Sequence, residues 1–262
     1  MHCRTLSPIT KRPQKVPITK AVIFDFIGTL TDVRDYSMEI SKKKLYRAIT
    51  NVGFNVRAEE FLDAYTQAHE KYRKVRYEQL IEVTNAVWIT EALKSLGVET
   101  SREDTRIKVA LNAFFKDYVN SFELRPCAKN VLVCVSKQHK VGLVSNFTYA
   151  PVIYAALRRL GISRFLNAIL VSEAVGWRKP HPKIFEEALR KLEVRPEETV
   201  YVGDSPLEDI KGAKALGMET VFVPSQFYSL EFLRENKQEP DLIVADLCEL
   251  NRKLAGLLKR SE

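Results

Sequence analysis

The sequence predicts an α/β protein: a doubly wound parallel sheet carrying an inserted α-helical cap domain. Three observations predict it. Short β-rich runs alternate with amphipathic helical stretches from Pro126 onward. Residues 32–124, which follow the first β-rich run, read as a helical block with almost no strand signal. Chemically useful polar residues collect where the β-rich runs end, which is where open parallel sheets bind ligands.

In chain order, Lys20–Phe26 (KAVIFDF) is an apolar run ending at Asp25, followed by Gly28-Thr29. It reads as a buried strand with a polar carboxyl end. Residues 37–52 and 58–76 have helical period, and 77–97 continue it to Gly97, a helix-ending glycine. Ser101-Arg-Glu-Asp104 fits a loose capping box ahead of the stripe Ile107, Leu111, Phe114, Phe115 and Tyr118. The later strands are expected at Lys140–Ser145, Ala168–Val171, Thr199–Gly203, Glu219–Val223 and Asp241–Val244. The helices between and after them are expected at 127–138, 150–161, 181–193, 206–217 and 246–259. The domains are therefore a flexible basic tail at 1–17, a core made of 18–31 with 125–262, and a helical cap at 32–124.

Composition narrows the function classes. With 45% hydrophobic and 28% charged residues, the chain is neither fibrous nor disordered. No run of eighteen apolar residues marks a membrane span. The net charge of +8 does not draw a nucleic-acid footprint. Residues 1–17 carry Arg4, Lys11, Arg12 and Lys15 with no acid, while 31–124 hold fifteen basic and fifteen acidic residues. No basic stripe is interleaved with aromatics. Cys3, Cys127, Cys134 and Cys248 make no CxxC pair, which argues against a zinc ribbon or disulfide framework and for the reducing cytoplasm.

Four strand-end segments carry the chemistry: Asp25-Phe-Ile-Gly-Thr29, Ser145-Asn146, Gly176-Trp-Arg-Lys179-Pro180 and Gly203-Asp204-Ser205-Pro-Leu-Glu-Asp209. Carboxylates from two strands suit a hard divalent cation, and a lysine with hydroxyl donors suits phosphate oxygens. These segments, in this order and spacing, resemble the haloacid dehalogenase superfamily, whose core is Rossmann-like and whose helical cap follows the first strand. The resemblance implies that Asp25 is the nucleophile, with Lys179 beside it. It makes Thr29, Ser145, Asn146 and Lys179 the phosphate contacts. It makes Asp25, Asp204, Asp209 and the main-chain carbonyl of Ile27 the holders of Mg²⁺. Arg73 and Arg76, from the cap run Tyr72–Tyr77, are candidates for an anionic leaving group.

One position departs from the family's phosphatases. They usually carry a second aspartate two residues after the nucleophile, as general acid and base, and this chain has Ile27. The leading expectation is a Mg²⁺-dependent phosphatase of a small phosphorylated metabolite, a monomer or homodimer with no nucleic-acid or membrane partner. A 2-haloacid dehalogenase, which needs no such acid, is the runner-up, although Gly203-Asp204 does not suit it. A phosphonate hydrolase would need a cap lysine such as Lys42 or Lys74 as Schiff-base former, and a silent phospholigand-binding protein would keep Asp204 and Lys179 without turnover.

Overall fold

The computed structural model describes residues 18–258. The basic tail read at 1–17 lies outside the described residues. The chain runs β1 (Ala21–Phe24), β2 (Thr31–Val33), α1 (Met38–Asn51), α2 (Ala58–Glu78), α3 (Asn85–Ser95), α4 (Thr105–Ser121), β3 (Phe122–Leu124), α5 (Ala128–Val135), β4 (Lys140–Ser145) and α6 (Ala150–Arg159). It continues through β5 (Ala168–Val171), α7 (Ser172–Val175), α8 (Pro182–Leu192), β6 (Thr199–Gly203), α9 (Lys211–Ala215), β7 (Glu219–Phe222), α10 (Leu230–Glu235), β8 (Leu242–Ile243) and α11 (Leu247–Leu258). Among the described residues no helix is long and apolar enough to cross a membrane.

Six strands form one parallel sheet in the order β5-β4-β1-β6-β7-β8. Along the chain this is the doubly wound pattern whose strand order reverses beside the first strand. Alternation of side chains explains why helices cover both faces. Val22 and Phe24 of β1 pack on one side with Val131, Leu132 and Val135 of α5 and Leu250 and Leu254 of α11. Ala21 and Ile23 pack on the other with Ile184, Phe185 and Ala188 of α8. All four residues of β1 are fully buried, as expected of a central parallel strand.

The four helices between β2 and β3 form a layer of their own. Within it α1 packs on α4 and α2 on α3, and α4 also packs on α6. The purely helical reading of 32–124 needs correction: its ends pair as an antiparallel ribbon, Thr31 with Leu124 and Val33 with Phe122. Each strand has three residues, too short to show a period. The helix expected to continue through 77–97 breaks at residues 79–84, where Leu80 takes φ +57°. The capping box at Ser101 does not form. Asp104 caps α4 instead, its carboxylate accepting from the Arg106 amide at 2.9 Å.

The cysteine reading is overturned as well. Cys127, at the start of α5, is bonded to Cys248 of α11, 121 residues away. Local spacing could not reveal this pair, because the packing of α5 on α11 brings it together. The inference of a reducing compartment from the cysteines loses its basis. Closing so long a loop typically stabilises a fold by about 2–4 kcal/mol. The double variant Cys127→Ser/Cys248→Ser should therefore melt several degrees below the wild type in oxidising buffer. Equal melting temperatures would mean that the bond adds nothing.

Candidate active site

The carboxyl ends of β1, β4 and β6 meet at the strand-order reversal. The register continues past β1, where the Asp25 amide donates to the Val202 carbonyl at 2.9 Å. That contact sets Asp25 beside the end of β6. Asp25, Asp204 and Asp209 are all buried, and each offers an oxygen within 4.8 Å of the others.

Lys179 stands at the centre. Its ammonium lies 2.7 Å from Asp25 Oδ1 and 2.6 Å from Asp209 Oδ1, and also donates to the Val144 carbonyl and the Tyr201 hydroxyl. The Tyr201 hydroxyl donates to Asp209 Oδ1 at 3.0 Å, and the Ser205 amide donates to Asp209 Oδ2 at 3.0 Å. Burial opposes the lysine's charge, but Asp209 and Asp25 hold its pKa well above the usual range. Burial pushes the Asp25 carboxyl up to about 7, against the pull of Lys179. Burial, reinforced by Asp25 and Asp209, pushes Asp204 well up.

Asp204 is gripped from both sides: Thr29 donates to its Oδ1 at 3.2 Å and Ser225 to its Oδ2 at 2.6 Å. Gly28, at φ +94°, makes room for it, since a Cβ there would lie 2.2 Å from Asp204 Oδ2. Gly203 does the same for Asp209, where an added Cβ would come within 2.5 Å. Arg125 secures the first turn by donating to the Gly28 carbonyl and, at 2.7 Å, to the Pro224 carbonyl.

The donor set fits a divalent cation. Three carboxylates share one ammonium, so the fully ionised set has an excess of two buried negative charges, and that excess is what burial resists and a cation would relieve. Asp25 Oδ2 is buried with no hydrogen-bond partner, a costly state for a carboxylate unless something else meets it.

Two of the expected phosphate contacts are committed elsewhere. Thr29 is fully buried against Asp204 and is absent from the cavity wall. The Asn146 side chain accepts from the Lys179 amide at 2.7 Å and donates to the Lys179 carbonyl at 3.0 Å, so it positions Lys179. Ser145 is buried on the cavity wall. Arg73 is exposed outside the cavity and lies 3.8 Å from Glu70. Arg76 lines the cavity, but its charge is taken by Glu82 at 2.7 Å.

That last pair belongs to a latch which the sequence reading missed. Glu82, with a fully buried carboxylate, also meets Arg178 at 3.1 Å and receives the Ser172 hydroxyl. The backbone reinforces it: the Arg178 amide donates to the Leu80 carbonyl, and the Glu82 amide to the Gly176 carbonyl, both at 3.0 Å. Thus the break after α2 pairs with the segment leading into Lys179. Tyr201, Ser225 and Arg125 were missed too. Ser225 followed the strand-end signal, three residues beyond β7. Tyr201 was legible only as one polar tip in an apolar run.

The profile of haloacid dehalogenase-like hydrolases matches residues 19–217, and the chain belongs to that family. A glyceraldehyde 3-phosphate phosphatase of Methanothermobacter thermautotrophicus is 29% identical over 232 residues, spanning 87% of this chain and 95% of that protein. A ribulose-1,5-bisphosphate 5-phosphatase of Halopiger xanaduensis is 28% identical over 208 residues, spanning 79% and 85%. The crystal structure of a 2-haloacid dehalogenase from Pseudomonas syringae covers 92% of this chain and 100% of its own, with TM-score 0.65 and 23% identity. At that identity it shares the fold.

Two outcomes follow. Replacing Glu82 by Ala strands the largely buried Arg76 and leaves Arg178 with Glu208 alone at 3.4 Å, and should cost about 3–5 kcal/mol, read by denaturant unfolding. A cost below about 1 kcal/mol would mean that the latch is not a structural tie. The second outcome concerns pH. Asp25 holds its proton to about 7 in the folded chain, against 3.8 as the ordinary value. Unfolding therefore releases a proton between those limits, so the stability Asp25 contributes is full below pH 4 and lost as pH rises through 7. In EDTA, Asp25→Asn should remove that loss from the melting-temperature profile. Parallel profiles for variant and wild type would refute it.

Proposed function

We propose that the protein is a Mg²⁺-dependent phosphohydrolase of small phosphorylated metabolites, working through an aspartyl-phosphate on Asp25. The observation that carries this reading is the buried set of three carboxylates around one ammonium, with Asp25 Oδ2 left free. The phosphatase names of the curated relatives support it. Asp25, Asp204, Asp209 and the Ile27 carbonyl would hold the ion. When bound, it offsets the negative excess and lets a carboxylate meet an anionic phosphate.

The chain's own groups do the rest. Lys179, itself positioned by Asn146, holds Asp25 Oδ1, which leaves the carboxylate oriented to attack phosphorus. The Ser145 hydroxyl and the Lys179 ammonium, both on the cavity wall, would meet phosphate oxygens. Thr29 and Ser225 keep Asp204 from rotating. A water then displaces the phosphate from Asp25 and regenerates the carboxylate.

Ile27 favours a second reading, a 2-haloacid dehalogenase, because halide leaves without a proton. Asp204, gripped in a set suited to a cation, speaks against it. Assaying phosphate and halide release with Mg²⁺ and with EDTA separates the two. Phosphate release that stops on chelation is expected, and dehalogenation that persists in EDTA would overturn the phosphatase reading. Asp25→Asn should lower turnover by at least ~10³-fold while leaving the circular dichroism unchanged. Retained turnover would remove Asp25 from the mechanism.

A further inference from the structure

The cavity above Asp25 is about 670 Å³, and aromatic rings form most of the apolar part of its wall. Tyr65 and Trp88 come from α2 and α3, Phe114, Phe115 and Tyr118 from α4, and Phe147 from the loop after β4. Its rim adds exposed apolar side chains from three separate segments: Met38 (49% exposed), Tyr77 (56%) and Phe227 (49%). Exposed apolar groups converging on one opening point to a ligand with an apolar body. The volume lies within the range of about 300–1,000 Å³ typical of pockets for drug-sized ligands, and a three-carbon phosphate ester fills a small part of it.

The proton inventory points the same way. Ile27 lines the cavity where an acid would stand. The other lining carboxylates outside the aspartate cluster are Glu70 and Glu208, and both are paired with cations: Glu70 with Arg73 at 3.8 Å and Glu208 with Arg178 at 3.4 Å. His69 lines the wall edge-on to Trp88 and 3.4 Å from Glu70, and burial holds it below the ordinary histidine range. Burial pushes the lining tyrosines Tyr36, Tyr65, Tyr118 and Tyr228 above the ordinary phenol range, and Lys42 is paired with Glu39 at 3.4 Å, so no carboxylic acid or imidazolium faces the leaving group. A leaving group must then depart largely as its anion. An aliphatic alkoxide is about as basic as hydroxide, whose conjugate acid has a pKa near ~15.7. A phenoxide is weaker by five to six powers of ten, with a phenol pKa near ~10.

We propose that the site is built for monophosphate esters of aromatic hydroxyl compounds, an inference that rests on the phosphatase reading and narrows it. The ring sits among the aromatic walls, with the phosphate over Asp25. An Asp25 Oδ–phosphorus bond forms as the bond from phosphorus to the aryl oxygen breaks. The aryl oxide keeps the electron pair and takes a proton from water. Water then forms its own bond to phosphorus, Asp25 Oδ is released as carboxylate, and phosphate departs with one proton freed. Ester and water become phenol and phosphate.

The test compares kcat/KM, with Mg²⁺, for phenyl phosphate, cyclohexyl phosphate and glyceraldehyde 3-phosphate. Phenyl phosphate should lead cyclohexyl phosphate by at least ~10-fold, reporting the leaving group, and cyclohexyl should lead the triose, reporting the walls. Phe227→Ser, at an exposed rim position, should raise KM for phenyl phosphate at least ~3-fold with kcat little changed. Ile27→Asp, if its circular dichroism is native, should gain more on the cyclohexyl than on the phenyl ester, by up to ~10²-fold. Turnover of the triose ester equal to or above phenyl phosphate overturns this inference alone. Absence of phosphate release from every ester overturns the phosphatase reading with it.

Discussion

The structure turns on the Lys179 ammonium, which is buried between Asp25 and Asp209. A charge in that position is tolerable only with close, well-aligned partners. Much of the surrounding architecture serves that requirement. The pairing of β1 with β6 delivers Asp25 and the Asp204–Asp209 turn side by side. Tyr201 and the Ser205 amide complete the shell of Asp209, and Asn146 clamps the lysine's backbone. Loss of the lysine would leave Asp25 and Asp209 buried side by side with no cation between them.

The same segment is where the helical layer is anchored. The ribbon of β2 and β3 joins that layer to the sheet at one place, and the Glu82 latch joins it at another. Arg178 and Lys179 are neighbours in the chain, so the tie that holds the helices also braces the lysine. Aromatic contacts between α4 and the loop after β4, such as Tyr118 stacked on Phe147 at 5.5 Å, add a third connection. The acidic cluster at the base of this cavity is itself buried, which strengthens the electrostatic interactions within it.

The apolar side chain at position 27 and the ring-lined cavity express one compromise. An acid there would be a fourth carboxylate beside Asp25, Asp204 and Asp209, in a place where apolar rings already raise the cost of charge. Ile27 removes that cost and extends the apolar wall, and the chemistry shifts toward leaving groups that need little help.

What the sequence determined by itself is whatever is encoded locally. The apolar strands at 21–24, 140–145 and 199–203 were legible because burial on both faces demands continuous apolar runs. Asp25, Ser145, Lys179 and Asp204 were legible because each ends such a run or follows its turn. The tertiary structure decided what depends on distant partners. The Cys127–Cys248 bond spans 121 residues, and the Glu82 latch joins the loop after α2 to the approach to Lys179. Thr29 and Asn146 carry the side chains expected of phosphate contacts, yet each is spent on a neighbour. A polar side chain bonds to whatever the fold places nearest, and only the folded chain shows what that is.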